Sequence, residues 1–329
     1  MQVDTRPDTM ANIASYFSVD SQKLQRHYKH QVSGYLQWDQ LHHADSYILF
    51  PENITPYLSI DEVSLSKGEL YTIVTNKNVG RMNKNCIVAI INGTDAKTIQ
   101  AVLEKISQQQ RDKVIEVSMD MARNMGLAIE KCFKNCTKVI DRFHVVRLVM
   151  DAMQHIRVKH RWKAIENENN AIKKAKMNGE RYCPQVLSNG DTFKELLARS
   201  RYLLYKPKAD WTANQAKRAA LLFQHFPRLK KIYNLTLSFR NIFTNKSKSD
   251  AAIEFREWII QAKKLKLVEF NSAVNSIEYH FDNILNFFNN RSTNANAESF
   301  NAKIKAFRAN LRGVTDVKFF LFRLSKLFA

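Results

Sequence analysis

Three acidic residues stand out for their setting: Asp61 in YLSIDEVSL, Asp120 in VIEVSMDMA and Glu298 in NANAESFNAKIK. The two aspartates close apolar, β-branched runs. A carboxylate there is costly unless it is paired, hydrogen-bonded or bound to a cation. The glutamate opens a basic amphipathic helix. Carboxylates projecting from neighbouring element ends can hold two Mg²⁺ ions on one phosphate, with Mn²⁺ able to substitute, so this set suits phosphodiester cleavage and transfer. Each acid alone reads equally well as a helix cap or turn residue; all three in this order do not.

Two further acids compete with this set. Glu62 is adjacent to Asp61, so on a strand its side chain points to the opposite face, and Asp61 is preferred on the pattern. Asp141, in DRFH, also follows a β run and rivals Asp120 as the second catalytic acid. Asp141 and His144 are three apart and share a face if a helix has already begun there. They then either brace the site and contact bound DNA, or cap the helix as a buried pair.

Basic residues follow the acids. Beyond Glu298 the same helix carries Lys303, Lys305, Arg308 and Arg312, and Asn301 and Lys305 lie on its Glu298 face. This reads as a surface for the scissile strand's phosphates, against the bland alternative of a solvated charged face. Arg157, Lys159, His160, Arg161 and Lys163 form a second cluster, a candidate for DNA-backbone contacts. Trp211 and Trp258 read as core residues rather than base-stacking ones.

Composition points the same way. Lys and Arg number 51 against 31 Asp and Glu, a net charge of +20, which favours a polyanionic partner through counterion release. No apolar run reaches the ~18 residues needed to span a membrane, and no basic-then-apolar leader opens the chain. A cytoplasmic, nucleoid-associated protein is expected. The cysteines, Cys86, Cys132, Cys136 and Cys183, lack zinc-ribbon spacing and read as reduced thiols.

The elements that must position these residues follow from periodicity. Residues 10–36 predict two short helices, with Ser18 or Asp20 as an N-cap. They are either a helix-turn-helix or a helical pair packed on the next domain. YLSIDEVSL, ELYTIVTNKN and CIVAIINGT then predict an antiparallel meander turning at Gly68 and Gly80. A helix over DAKTIQAVLEKISQQQ, a strand in KVIEVSMD, a helix in MARNMGLAIEKCF and a strand in TKVIDRFHVV running into a helix complete the order βββαβαβα. That is the order of an α/β ribonuclease H-like catalytic core, a mixed sheet whose first and fourth strands lie side by side. Asp61 and Asp120 would then face each other. From about 147 to 290 only helical periodicity remains, broken at Pro227. The predicted division is an N-terminal helical segment (1–50), the first part of the core (51–146), an all-α insertion (147–290) and a closing helical part (291–329) carrying Glu298.

The segments SIDEVSL, SMDMARNMGLAIEKCFKNCTKVIDRFHVVR, WTANQAKRAALLFQHFPRLKKIYNL and STNANAESFNAKIKAFRANLRG occur in this order. In them the chain resembles bacterial insertion-sequence transposases of the DDE type, in the ISL-three family, over roughly residues 50 to 325. The Asp-x-x-His step also resembles that of Mutator-like and hAT-like transposases. The resemblance implies a metal triad of Asp61, Asp120 and Glu298, with Asp141 and His144 as neighbours and a helical insertion before the glutamate. It implies element terminal repeats and target DNA as partners, in a homodimer or larger synaptic complex. Family members usually begin with a cysteine-rich zinc-binding segment, whereas no cysteine precedes Asp61 here. End recognition is therefore expected to be reduced, or supplied in trans by a separately encoded protein. The alternatives are a ribonuclease H-like nuclease or resolvase without strand transfer, and a non-catalytic DNA-binding descendant. A binding protein has no need of unpaired carboxylates on strands, which argues against the latter.

Overall fold

β-Branched and aliphatic runs assemble one six-stranded sheet within the described residues, which in this computed structural model are 2–66, 68–79 and 84–329. Short helices precede it, two of them over residues 10–27. α1 (Met10–Tyr16) is capped by the Thr9 hydroxyl, which accepts from the Asn12 N–H at 3.0 Å. α2 (Ser21–His27) is capped by Asp20, which accepts from the Lys23 N–H at 2.7 Å. Asp20 rather than Ser18 is thus the cap; Ser18 turns the chain with a φ of 53°. Met10, Ile13, Tyr28 and Tyr35 bury their side chains against Phe319 and Phe322 near the C-terminus.

The strands are β1 (Tyr47–Leu49), β2 (Tyr57–Ser66), β3 (Glu69–Asn76), β4 (Ile87–Asn92), β5 (Glu116–Met119) and β6 (Thr137–Ile140). Their spatial order is β1-β4-β3-β2-β5-β6. β2, β3 and β4 form the antiparallel meander, while β5 runs parallel to β2 and β6 parallel to β5. Gly68, with a φ of +85°, turns β2 into β3 where a side chain would be strained. The turn expected at Gly80 lies outside the described residues. The edge strand β1 is an addition, since three residues are too few to show alternation. Gln40 pins it by accepting from the Leu49 N–H at 2.7 Å and donating to its carbonyl at 2.9 Å. The single helix expected after β4 is two pieces, α3 (Ala96–Leu103) and a short turn capped by Ser107. α4 (Arg123–Cys132) joins β5 to β6.

The chain divides into two compact units, Met1–Asp141 with Asn289–Ala329, and Arg142–Phe288. The second is helical: α5 (Arg142–Met177), α6 (Phe193–Arg199), α7 (Ala213–His225), α8 (Pro227–Ile242), α9 (Lys248–Lys264) and α10 (Val268–Tyr279). Pro227 separates α7 from α8 at a first-turn position, where its missing N–H costs nothing. Phe239, Phe255, Trp258 and Phe270 form its aromatic core, and Trp258 Nε1 donates to the Leu235 carbonyl at 2.8 Å. Trp211 stacks on Tyr233 and donates to the Leu203 carbonyl, so both tryptophans are structural. No helix among the described residues is long and apolar enough to cross a membrane.

Asp191 ties this helical unit together. It is 1% exposed and bonded by Arg199, Arg218 and Asn189. Burial raises its affinity for protons, but the hydrogen bonds from Arg218, Arg199 and Asn189 outweigh this and hold the carboxyl below its ordinary value. A depressed carboxylate stabilises the fold above its unfolded pKa, and that contribution is lost as pH falls through the folded value. Thermal melts should therefore show the helical unit losing stability below about pH 4. Asp191→Asn should lower the melting temperature at neutral pH and flatten the acid limb. An unchanged acid limb would refute the assignment.

The first unit closes with α11 (Ala295–Asn310) and α12 (Val317–Phe328). Phe300, Ile304 and Phe307 of α11 pack on Val63, Leu65 and Ile73 of the sheet, with Phe320, Leu324 and Phe328 of α12 completing the core.

Candidate active site

The two aspartates are placed by the parallel pairing of β2 with β5. Ser59 of β2 stands opposite Ser118 of β5, the last pair of that ladder; Asp61 lies two residues on, still within β2, and Asp120 two residues on, just past the end of β5. Residues two apart share a face, and the Ser59 and Ser118 hydroxyls already meet at 2.8 Å. Val63 and Leu65, next on the Asp61 face, pack on α11. The same helix supplies Asn301, a buried residue whose Nδ2 donates to Asp61 Oδ2 at 2.7 Å. Asp61 Oδ1 accepts from the Glu62 N–H and Asp120 Oδ1 from the Ala122 N–H, each at 2.8 Å.

Alternation puts Glu62 on the other face of β2, yet its charge is not remote. Burial, then Asp120 and Asp61, push its carboxyl above the ordinary value. The end of the β2–β5 pair is thus a region of concentrated negative potential, which a cation would relieve. The donors are hard oxygens: two aspartates, with the Asn301 Oδ1 beside them buried and without a hydrogen-bond partner. Such a set suits Mg²⁺ or Mn²⁺ rather than a softer metal.

A buried polar chain lies beneath the pair. Ser118 Oγ donates to Asn294 Oδ1 at 3.0 Å, and the Asn294 N–H donates to Asp141 Oδ2 at 2.6 Å. Lys77 bonds Glu116 at 3.3 Å and the Ser292 hydroxyl, and Asn296 Nδ2 donates to the Lys77 carbonyl at 2.9 Å. These bonds clamp the segment entering α11 to the strands that carry the aspartates. Sequence reading missed Ser59, Ser118, Lys77 and Asn294. The only local signal was that each serine stands two residues before an acid.

Glu298 is on the first turn of α11, three residues before Asn301, and is exposed. Among the described residues no three His, Cys, Asp or Glu side chains come together as a metal-holding group. The structure therefore bonds Asn301 to Asp61 and sets Asp61 and Asp120 close enough to Glu62 to raise its carboxyl, but does not gather Asp61, Asp120 and Glu298 into one such group. Asp141 is 3% exposed and engaged by the α11 entry, a setting that suits bracing. His144 is half-buried in the first turn of α5, in the helical unit.

The basic residues separate by burial. Lys305, Arg308 and Arg312 line an open cavity of about 360 Å³ at the end of α11, and Arg308 also donates to the Ser64 carbonyl at 2.7 Å. Lys303 is half-buried and near Cys86, whose thiol burial pushes up to about 12 against the opposing pull of Lys303. Arg161 and Lys163 are exposed on α5. Arg157, expected among the DNA contacts, is instead buried, donating to Gln154 Oε1 at 2.6 Å and the Leu197 carbonyl at 2.8 Å. It faces α6 because it shares the apolar stripe of Met153 and Ile156. Arg157→Ala should cost about 2–4 kcal/mol of stability by leaving two buried acceptors unpaired. Its DNA affinity should stay within about twofold of wild type, whereas Arg161→Ala should weaken DNA binding and reduce its salt dependence. Melting curves and salt-titrated binding check both.

The family model that matches this chain, for ISL3-type DDE transposases and described as "Transposase", covers residues 58–324, most of its length. The transposase for insertion sequence element IS1001 of Bordetella parapertussis is 21% identical over 273 residues, covering 83% of this chain and 61% of the relative. The transposase for insertion sequence element IS1557 of Mycobacterium tuberculosis is 24% identical over 227 residues, covering 68% of this chain and 49% of the relative. The chain thus spans about half to three fifths of the length of the curated relatives it matches. With the match running from β2, which carries Asp61, through α11 and into α12, the chain belongs to the ISL3 family of transposases.

Proposed function

We propose that the protein cleaves DNA at the ends of an insertion sequence and joins them to target DNA, in a reaction that depends on divalent metal. The observation that carries this reading is the β2–β5 pairing that sets Asp61 and Asp120 each two residues beyond the paired Ser59 and Ser118, with Asn301 docked on Asp61. In this reading β4-β3-β2-β5-β6 is a ribonuclease H-like sheet with β1 added at its edge. Residues 51–146 and 291–329 form the catalytic core, 147–290 is an insertion and 1–50 an N-terminal helical segment. Asp61 and Asp120 hold the metal, and Glu298, one helical turn before Asn301, supplies the third carboxylate when the site is loaded. Bound there, two Mg²⁺ ions supply a nucleophile at neutral pH and stabilise the leaving oxygen.

The protein's own groups set the geometry. Asn301 holds the Asp61 carboxylate in one orientation. The Ser59–Ser118 bond fixes the spacing of the strand ends, and Asp141 secures α11 through Asn294. Lys305, Arg308 and Arg312 neutralise phosphates of the scissile strand, Arg161 and Lys163 contact DNA from the helical unit, and His144 is a candidate contact at its start. In the first step water adds to phosphorus as the bond to the 3′ oxygen breaks. In the second the freed 3′-OH attacks a target phosphodiester and displaces its 3′ oxygen. No protein–DNA covalent bond forms. A homodimer or larger complex would hold two element ends, with end recognition aided by a separate protein.

The test is a donor DNA flanked by the element's own ends, incubated with the protein and Mg²⁺. Joined products are expected. Cleavage without joining would support a nuclease instead, and DNA binding without cleavage in either Mg²⁺ or Mn²⁺ would overturn the reading.

A further inference from the structure

A cavity in the helical unit shares only Lys163 with the chemistry above. It is a cleft of about 660 Å³, within the size range of small-molecule sites. The second half of α5, the loop over 178–192, the start of α6 and the α7–α8 junction enclose it. Aromatic rings form much of its wall. Phe226 lies 5.3 Å from the His160 ring and 6.4 Å from Phe193, and Phe193 meets His225 edge-on at 5.0 Å. Tyr182 lines it from the loop.

Its charge is positive. Glu168 is the one acid lining the cleft, and it is engaged by Lys194 at 2.8 Å. Lys163 lines the cleft with no acidic partner among the described residues. His160 is held below its ordinary value by burial and then by the nearby cations Arg228, Lys163 and Lys159. A flat aromatic body carrying negative charge matches both features, which is the chemistry of a nucleotide. Bases in a duplex are stacked and paired and cannot enter, whereas unpaired ones can stack on side-chain rings.

We infer that this cleft binds unpaired nucleotides of a DNA strand, seating bases against Phe193, Phe226 and Tyr182 and phosphates toward Lys163. The inference rests on DNA being the substrate.

The experiment measures binding of a fluorescein-labelled thymidine dodecamer to the full chain by anisotropy, without divalent metal, beside a labelled duplex of equal length. Phe193→Ala should weaken single-strand binding roughly tenfold, as expected for loss of a stacking partner, and leave duplex binding within about twofold. Tyr182→Ala sits in a loop outside any helix and should do the same while keeping the wild-type melting curve. Unchanged single-strand binding in both variants, or equal losses for duplex and single strand, overturns the inference alone. Displacement of the dodecamer by thymidine monophosphate at equal nucleotide concentration overturns it in favour of free nucleotides. Failure to bind either DNA overturns it together with the transposition reading.

Discussion

Asp61→Asn is expected to reduce DNA cleavage and joining by on the order of a thousandfold, with DNA affinity kept within about twofold. The substitution keeps size and hydrogen-bonding capacity but removes one of the two aspartate charges that act on Glu62. The Asn301 contact, made at 2.7 Å to Asp61 Oδ2, loses only its charge-assisted character. Without divalent metal, relief of like-charge repulsion should leave the melting temperature equal or higher and bring Glu62, now raised by burial and by Asp120 and Asp61, closer to its ordinary value. With Mg²⁺ added, only wild type should gain stability. Gel-resolved products and melts with and without metal measure each effect. Unchanged activity would refute Asp61 as a metal-holding residue.

Glu298→Gln is expected to cost a hundredfold or more in both steps, because a carboxylate ligand and its amide differ in charge but not in shape. This is the sharper experiment, since Glu298 is exposed on α11 and forms no three-acid group with Asp61 and Asp120. The expected result requires its side chain to turn toward Asp61 when metal and DNA arrive. It also predicts a higher Mg²⁺ midpoint in the variant. Equal activity from both proteins would remove Glu298 from the site and make Asn301 Oδ1, buried and unpartnered, the next oxygen to test. Loss of DNA binding along with activity would mark Glu298 as part of the DNA surface.

Much of this was legible from local pattern. The β-branched run ending at Asp120, the Gly68 turn and the Pro227 break each express a short-range constraint, and each appears where local pattern put it; Asp61, read as closing its run, instead sits mid-strand in β2, paired with Ile73. Local pattern failed where the partner was distant. Arg157 reads as one basic residue among several, but the packing of α5 on α6 turns it inward. β1 has too few residues for a pattern and exists because Gln40 holds it.

From its sequence alone, then, the chain set the types of its chemistry-bearing residues and the elements on which they ride. Hydrophobic period and turn residues act within a few positions of one another. Only the tertiary structure decided which of those residues meet. Asp61 and Asp120 are 59 positions apart along the chain, and the parallel pairing of Ser59 with Ser118 sets each of them two residues beyond it. Asn301, 240 positions from Asp61, arrives because Phe300, Ile304 and Phe307 bury α11 on that face of the sheet. Burial of apolar surface is non-directional and long-ranged in sequence, so it chooses neighbours that no local rule can name.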